Sequence, residues 1–167
     1  MPTLAVEGLY ANSLQNLNPG SVVVTQDGLT GIVIQNRHPG MGNKYLLLRD
    51  ENGLFIEQER QRDVYFVANG SELELELGKP AEPPQKPLDS IGLLGIDASG
   101  CFVVADSRPI GHHSAATEIS LSMPTNSGNN KDWRWSALGG GRSQNAAMFT
   151  GWRLFYFGRG HERVFVF

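Results

Sequence analysis

Residues 19–35 read Pro19-Gly20-Ser21-Val22-Val23-Val24-Thr25-Gln26-Asp27-Gly28-Leu29-Thr30-Gly31-Ile32-Val33-Ile34-Gln35, and this stretch decides the fold class. Val and Ile carry stiff, branched side chains that pack well on a pleated surface. Gln26-Asp27-Gly28 supplies a turn between two such runs. The stretch therefore predicts two strands, residues 22–25 and 30–35.

The same texture continues downstream. Residues 45–48 and 54–57 are predicted strands joined through Asp50-Glu51-Asn52-Gly53, a hairpin signal. Residues 64–67 follow, and Asn69-Gly70 is a turn. Residues 72–77 read ELELEL, the period of a half-buried strand with Leu73, Leu75 and Leu77 inward. Further strands are expected at 91–96, 101–105, 118–121, 133–137, 152–157 and 164–167, with one helical turn at 146–148. Upstream, Tyr10, Leu14 and Leu17 fall at i, i+4, i+7, which predicts a short N-terminal helix or ordered arm. The expected class is all-β.

Gly20, Val22–Val24, Gly28, Gly31 and Ile32–Ile34 together resemble the opening of an SH3-like small β-barrel of the KOW type. The resemblance implies a small barrel over the first part of the chain. KOW modules commonly bind RNA or the ribosomal and transcription machinery. Here only Arg37, Lys44 and Arg49 lie nearby in an acidic region, so the barrel shape is carried over and RNA binding is not.

Residues 78–87 hold Pro80, Pro83, Pro84 and Pro87, and proline favours extended, stiff backbone. This predicts three parts: an N-terminal arm with a small barrel module (1–77), a proline-rich linker (78–87) and a β-sandwich-like module (88–167). A single fused sandwich is the alternative.

The 167 residues carry 14 basic and 17 acidic side chains, a formal net charge of −3. That balance argues against a duplex nucleic-acid binder. No apolar run approaches the roughly 20 residues that cross a bilayer. The first residues lack the basic, then apolar, pattern of a secretory signal. A cytoplasmic protein, or one assembled into a particle, is expected, with no membrane partner.

Cys101 is the single cysteine, so no internal disulfide forms. It opens an apolar run, which suggests a buried structural thiol rather than a nucleophile. His112-His113 with Asp106, Glu118 and His161 offers metal-ligand chemistry, but neighbouring strand residues point to opposite faces. No metal or cofactor is expected. Asp97, Asp106, Glu118 and Asp132 are scattered carboxylates without the facing pair a glycosidase needs. Gly139-Gly140-Gly141-Arg142-Ser143 lacks the lysine of a phosphate-binding loop. No catalytic residue is assigned.

The binding candidates are Trp133, Arg134, Trp135, Arg142, Trp152 and Arg153, and residues 131–167 carry a net charge of +4. Alternation through 152–157 puts Phe155 and Phe157 on one face with Arg153. Phe155, Phe157, Phe165 and Phe167 are the interface candidates, because Trp, Phe and Arg are enriched in contact surfaces. These features predict a non-catalytic interaction or structural protein working in a larger assembly, a virion or particle surface among the contexts. Self-association or a protein partner is expected. The alternatives are a carbohydrate-binding module using exposed tryptophans and, third, single-stranded nucleic-acid binding.

Overall fold

Hairpin chemistry near the start of the chain holds. In the computed structural model, which describes residues 9–36, 43–58, 65–68, 72–111, 115–122, 134–138, 141–157 and 163–167, β2 (Val22–Val24) pairs antiparallel with β3 (Thr30–Asn36). β4 (Lys44–Asp50) and β5 (Gly53–Glu57) form a second hairpin. Its turn is held by Asp50, whose Oδ1 accepts the N–H groups of Asn52 at 2.8 Å and Gly53 at 3.1 Å.

The remaining strands are β1 (Leu9–Asn12), β6 (Tyr65–Ala68), β7 (Glu72–Glu76), β8 (Lys79–Ala81), β9 (Leu94–Asp97), β10 (Gly100–Asp106), β11 (Ala116–Ser122), β12 (Arg134–Leu138), β13 (Ala147–Thr150), β14 (Arg153–Phe157) and β15 (Arg163–Phe165). They build two sheets. Twelve strands form the larger one, whose main path runs β1-β6-β2-β3-β12-β11-β10-β9-β13-β8. β4 joins it against β3, and β5 lies between β4 and β10. The smaller sheet has the order β15-β14-β7. The fold is all-β.

Three expectations are corrected. Among the described residues, the strands before residue 78 do not close on one another into an SH3-like barrel. The strands of the first part turn instead to strands from later in the chain. One edge of β3 is shared between β2 and β12, the latter in parallel through Gln35↔Ser136 and Asn36↔Ala137. β5 meets β10 in parallel at Phe55↔Asp106. Residues 19–35 encode a hairpin locally, and local pattern says nothing about which strands take its outer edges. The N-terminal helix is also absent: residues 9–12 are strand β1, paired with β6, and residues 14–16 form one 3-10 turn. That turn buries Leu14 and Leu17 without an α-helix. The helical turn expected at 146–148 is likewise replaced, by a 3-10 turn at Arg142–Asn145 and strand β13.

The core lies between the two sheets and on both faces of the central strands. Ile32, Ile34, Leu47, Val103 and Ile119 from the large sheet pack with Leu73, Leu154 and Tyr156 from the small one. On the opposite face of β2–β4, Val23, Val33, Leu46 and Leu48 are covered by Leu14 and Leu17. On the opposite face of β10, Phe102 and Val104 pack with Ala116 and Met148. Burial on both faces explains the continuous apolar runs of β2, β3 and β10.

Residues 72–81 run antiparallel to residues 147–157 as one bent ladder. β7 pairs with β14 in the small sheet, and β8 pairs with β13 in the large one. Both segments change sheets at the same level. A Cβ on Gly78 would overlap the Thr150 carbonyl oxygen and stand 2.6–2.7 Å from the Gly151 and Trp152 backbone. Opposite it, Gly151 adopts φ +68°. The first residues of the proline-rich stretch thus belong to a strand, and residues on both sides of that stretch share the main core.

Residues 166–167 complete the small sheet's contact with the core. Leu154 N–H donates to the Phe167 carbonyl at 3.1 Å, and Thr30 Oγ1 donates to the Val166 carbonyl at 2.6 Å. Phe167 is fully buried, its ring edge-on to Trp152 at 6.2 Å.

Two substitutions test this construction by urea unfolding. Gly78→Ala forces two backbones apart and is expected to cost about 1–3 kcal/mol, as overpacking does. Phe167→Ala empties a filled site and is expected to cost about 3–5 kcal/mol.

Candidate functional site

The small sheet has one face on the core and one outward. Antiparallel pairing sets Leu154 opposite Leu75 and Tyr156 opposite Leu73, all facing in. The intervening residues face out: Glu74 and Glu76 on β7, Arg153, Phe155 and Phe157 on β14, Arg163 and Phe165 on β15. Leu77, expected to face inward, lies beyond the end of β7 and is half exposed.

Phe155 sits at the centre of this outer face, with Glu74 opposite on one side and Phe165 on the other. Its ring meets Phe165 edge-on at 5.7 Å. The Arg163 guanidinium lies 3.7 Å over the same ring, and that of Arg153 lies at 5.6 Å. The arginines are in turn paired: Arg153 with Glu76 at 3.0 Å, and Arg163 with Glu76 at 3.2 Å and Glu74 at 3.4 Å. Phe155 is therefore buried beneath its neighbours' side chains, while Phe165 remains 41% exposed. Phe157 is half-buried. Exposed ion pairs of this kind contribute little to stability. Their geometric effect is larger, because they hold two guanidinium groups around an aromatic ring.

A second polar cluster involves Arg142. Its guanidinium makes a two-pronged contact with Asp97, Nε to Oδ2 at 2.7 Å and Nη2 to Oδ1 at 2.8 Å. It also lies over the Phe102 ring at 4.4 Å. The Arg142 backbone N–H donates to the Glu118 carboxylate, at 2.8 Å to Oε1 and 3.0 Å to Oε2. So the Arg142 and Ser143 amides, two of the donors a phosphate cradle would need, face a carboxylate of the same chain. The Arg142 guanidinium beside Asp97 holds that carboxyl down at about 2. Asp106 is likewise lowered by its hydrogen bonds from Arg108. Asp97 and Asp106 are each engaged by an arginine, and Glu118 by backbone amides. Burial pushes the Cys101 thiol up to about 11, which leaves almost no thiolate at neutral pH.

Trp152 is corrected as a glycan platform. It is buried, and its indole N–H donates to the Gly92 carbonyl at 2.8 Å. A ring in the core cannot stack on a sugar. Phe167, expected at an interface, belongs to the core as well. Arg134 and Trp135 lie on β12 opposite Ser122 and Leu121. Their side chains fall outside the described residues, as do Trp133, His112, His113, Asp132 and His161. Among the described residues no group of three His, Cys, Asp or Glu side chains can hold a metal, and no helix is long and apolar enough to cross a membrane.

Of the sequence candidates, the fold brings together Arg153, Phe155, Phe157 and Phe165. It adds Arg163, Glu74 and Glu76, which were not singled out. Their signal was present in the ELELE alternation: glutamates on one face of a strand need opposite charges across the ladder. Which strand would supply them was not readable. Compared with protein families, curated proteins and solved structures, the chain matches none of them.

The Asp97–Arg142 pair predicts an acid response. Asp97 titrates at 3.8 when unfolded and at about 2 when folded, so its contribution is complete above pH 3.8 and lost as pH falls through 2. Thermal melts of the parent and Asp97→Asn are expected to differ at pH 5 and to converge as pH approaches 2.

Proposed function

We propose that this chain is a non-catalytic protein–protein interaction module that docks a different protein on the outer face of its small sheet. The observation that carries this reading is Phe165, left 41% exposed against Phe155 and beside Arg163. Aromatic and arginine side chains are the residues most enriched where interfaces exclude water. The partner this chemistry suits presents an apolar side chain to Phe165 and hydrogen-bonding groups to the Arg153, Arg163, Glu74 and Glu76 rim. The half-buried Cys101 thiol, pushed up out of the thiolate range, and the engagement of Asp97, Asp106 and Glu118 within the chain support a role without chemistry. The buried position of Trp152 removes it as support for the glycan alternative.

Photo-cross-linking in the cells that make the protein tests this reading. A photoreactive phenylalanine analogue at position 165 is expected to give one heteromeric adduct, and the same group at exposed Asn52 is expected to give none. Arg163→Ala should weaken the adduct while changing stability by less than about 1 kcal/mol, as at other exposed pairs. Equal adducts from both positions, adducts only between copies of the chain, or none at all would overturn it.

A further inference from the structure

A pocket of about 210 Å³ opens between the proline-rich stretch and the turn at residues 141–144. Pro84 and Pro87 line one side, Gln144 the other, and Val104 and Glu118 belong to its buried wall. Glu118 is only 2% exposed. Its two oxygens share a single strong donor, the Arg142 N–H, and Oε1 adds the N–H of Ser143 at 3.4 Å and its hydroxyl at 3.5 Å. A carboxylate accepts about four hydrogen bonds, so acceptor capacity is left over. The Arg142 guanidinium is taken by Asp97. Among the described residues no lysine, arginine or histidine forms an ion pair with Glu118. A buried carboxylate without a cation is costly, and a ligand that supplies one removes the cost.

The apolar walls and the small volume select the shape of that cation. A primary ammonium is a compact charge with three donors, and an alkyl chain behind it packs on Pro84 and Pro87. We propose that this pocket binds a primary ammonium group, on a small amine or a lysine side chain, with the Glu118 carboxylate as its counter-ion. Lys86 also lines the pocket and offers a contact to an anionic far end of the same ligand. The site is independent of the small sheet's outer face and stands or falls without it.

The amides of Arg142 and Ser143 report on Glu118 directly, so the test is an amide-resolved NMR titration. n-Butylammonium is expected to shift both amides saturably, and n-butanol, its neutral counterpart, is not. Glu118→Gln keeps an acceptor for the Arg142 amide and should weaken binding about tenfold or more, the worth of a charge-assisted hydrogen bond. Gln144→Trp, at an exposed position, should block the pocket with the fold intact, and it decides the matter if Glu118→Gln fails to fold. Nα-Acetyl-lysine methylamide identifies the source: binding by it alone assigns a peptide lysine, and equal binding by n-butylammonium assigns a free amine. No saturable shift with either ammonium, equal shifts with n-butanol, or unchanged binding in Gln144→Trp would overturn the assignment.

Discussion

Everything in this fold passes through the place where two antiparallel chain segments change sheets together. Gly78 lies so close to Thr150–Trp152 that no side chain fits between the backbones. Because both segments bend there, β7 and β14 lie over the large sheet while β8 and β13 remain part of it. Strands that switch sheets at a bend are a recognised way to make the corner of a sandwich. Trp152 fixes the corner on its other side by donating to Gly92, whose own N–H donates to Val104 in β10. One glycine and one indole therefore set how the small sheet sits on the core, and so which face it turns outward.

That constraint explains a pattern of burial that would otherwise look extravagant for a chain of this size. With the small sheet on one side, Leu14 and Leu17 on another and Met148 on a third, the central strands are covered on both faces. Each residue of β3 from Gly31 to Ile34 is buried, and so is each of β10 from Phe102 to Ala105. A fully buried strand loses the alternating polar residues of a half-exposed one. The small sheet keeps that alternation, with ELELE on β7 facing arginines on β14 and β15.

The same contrast separates what the sequence discloses from what it withholds. β2, β3, β4, β5 and β7 are legible because turn chemistry and side-chain period are local. Asp27-Gly28 and Asn52-Gly53 reverse the chain, and alternating leucines select the strand over the helix. Edge pairing is not local. Nothing near residue 35 announces a parallel contact with β12, and nothing near residue 55 announces one with β10. The proline-rich stretch misleads for a related reason: proline at position 80 removes one amide donor, yet β8 lies at the end of its sheet path, where a strand tolerates that loss. The candidate site follows the same rule. Phe155, Phe157 and Phe165 stand out by composition, and the alternation through 152–157 groups Phe155 and Phe157 with Arg153. The glutamates that hold Arg153 and Arg163 in place lie some eighty residues away in the chain, and only the ladder brings them together. Composition leaves Trp152 open between a core or interface residue and a ligand platform, and it is a core residue because its strand entry falls at the corner.

The arginines over Phe155 bear on why this face suits recognition. A guanidinium 3.7 Å above an aromatic ring, tied on its other side to two carboxylates, has given up much of its freedom before any partner arrives. Association is opposed by the ordering of side chains at the contact, and groups already ordered oppose it less. The central ring is also already shielded from water, so a partner need only cover Phe165 and the rim. An anchor assembled in this way favours a modest, specific contact over a large adhesive patch. It leaves exposed the aromatic edge that a partner can complete.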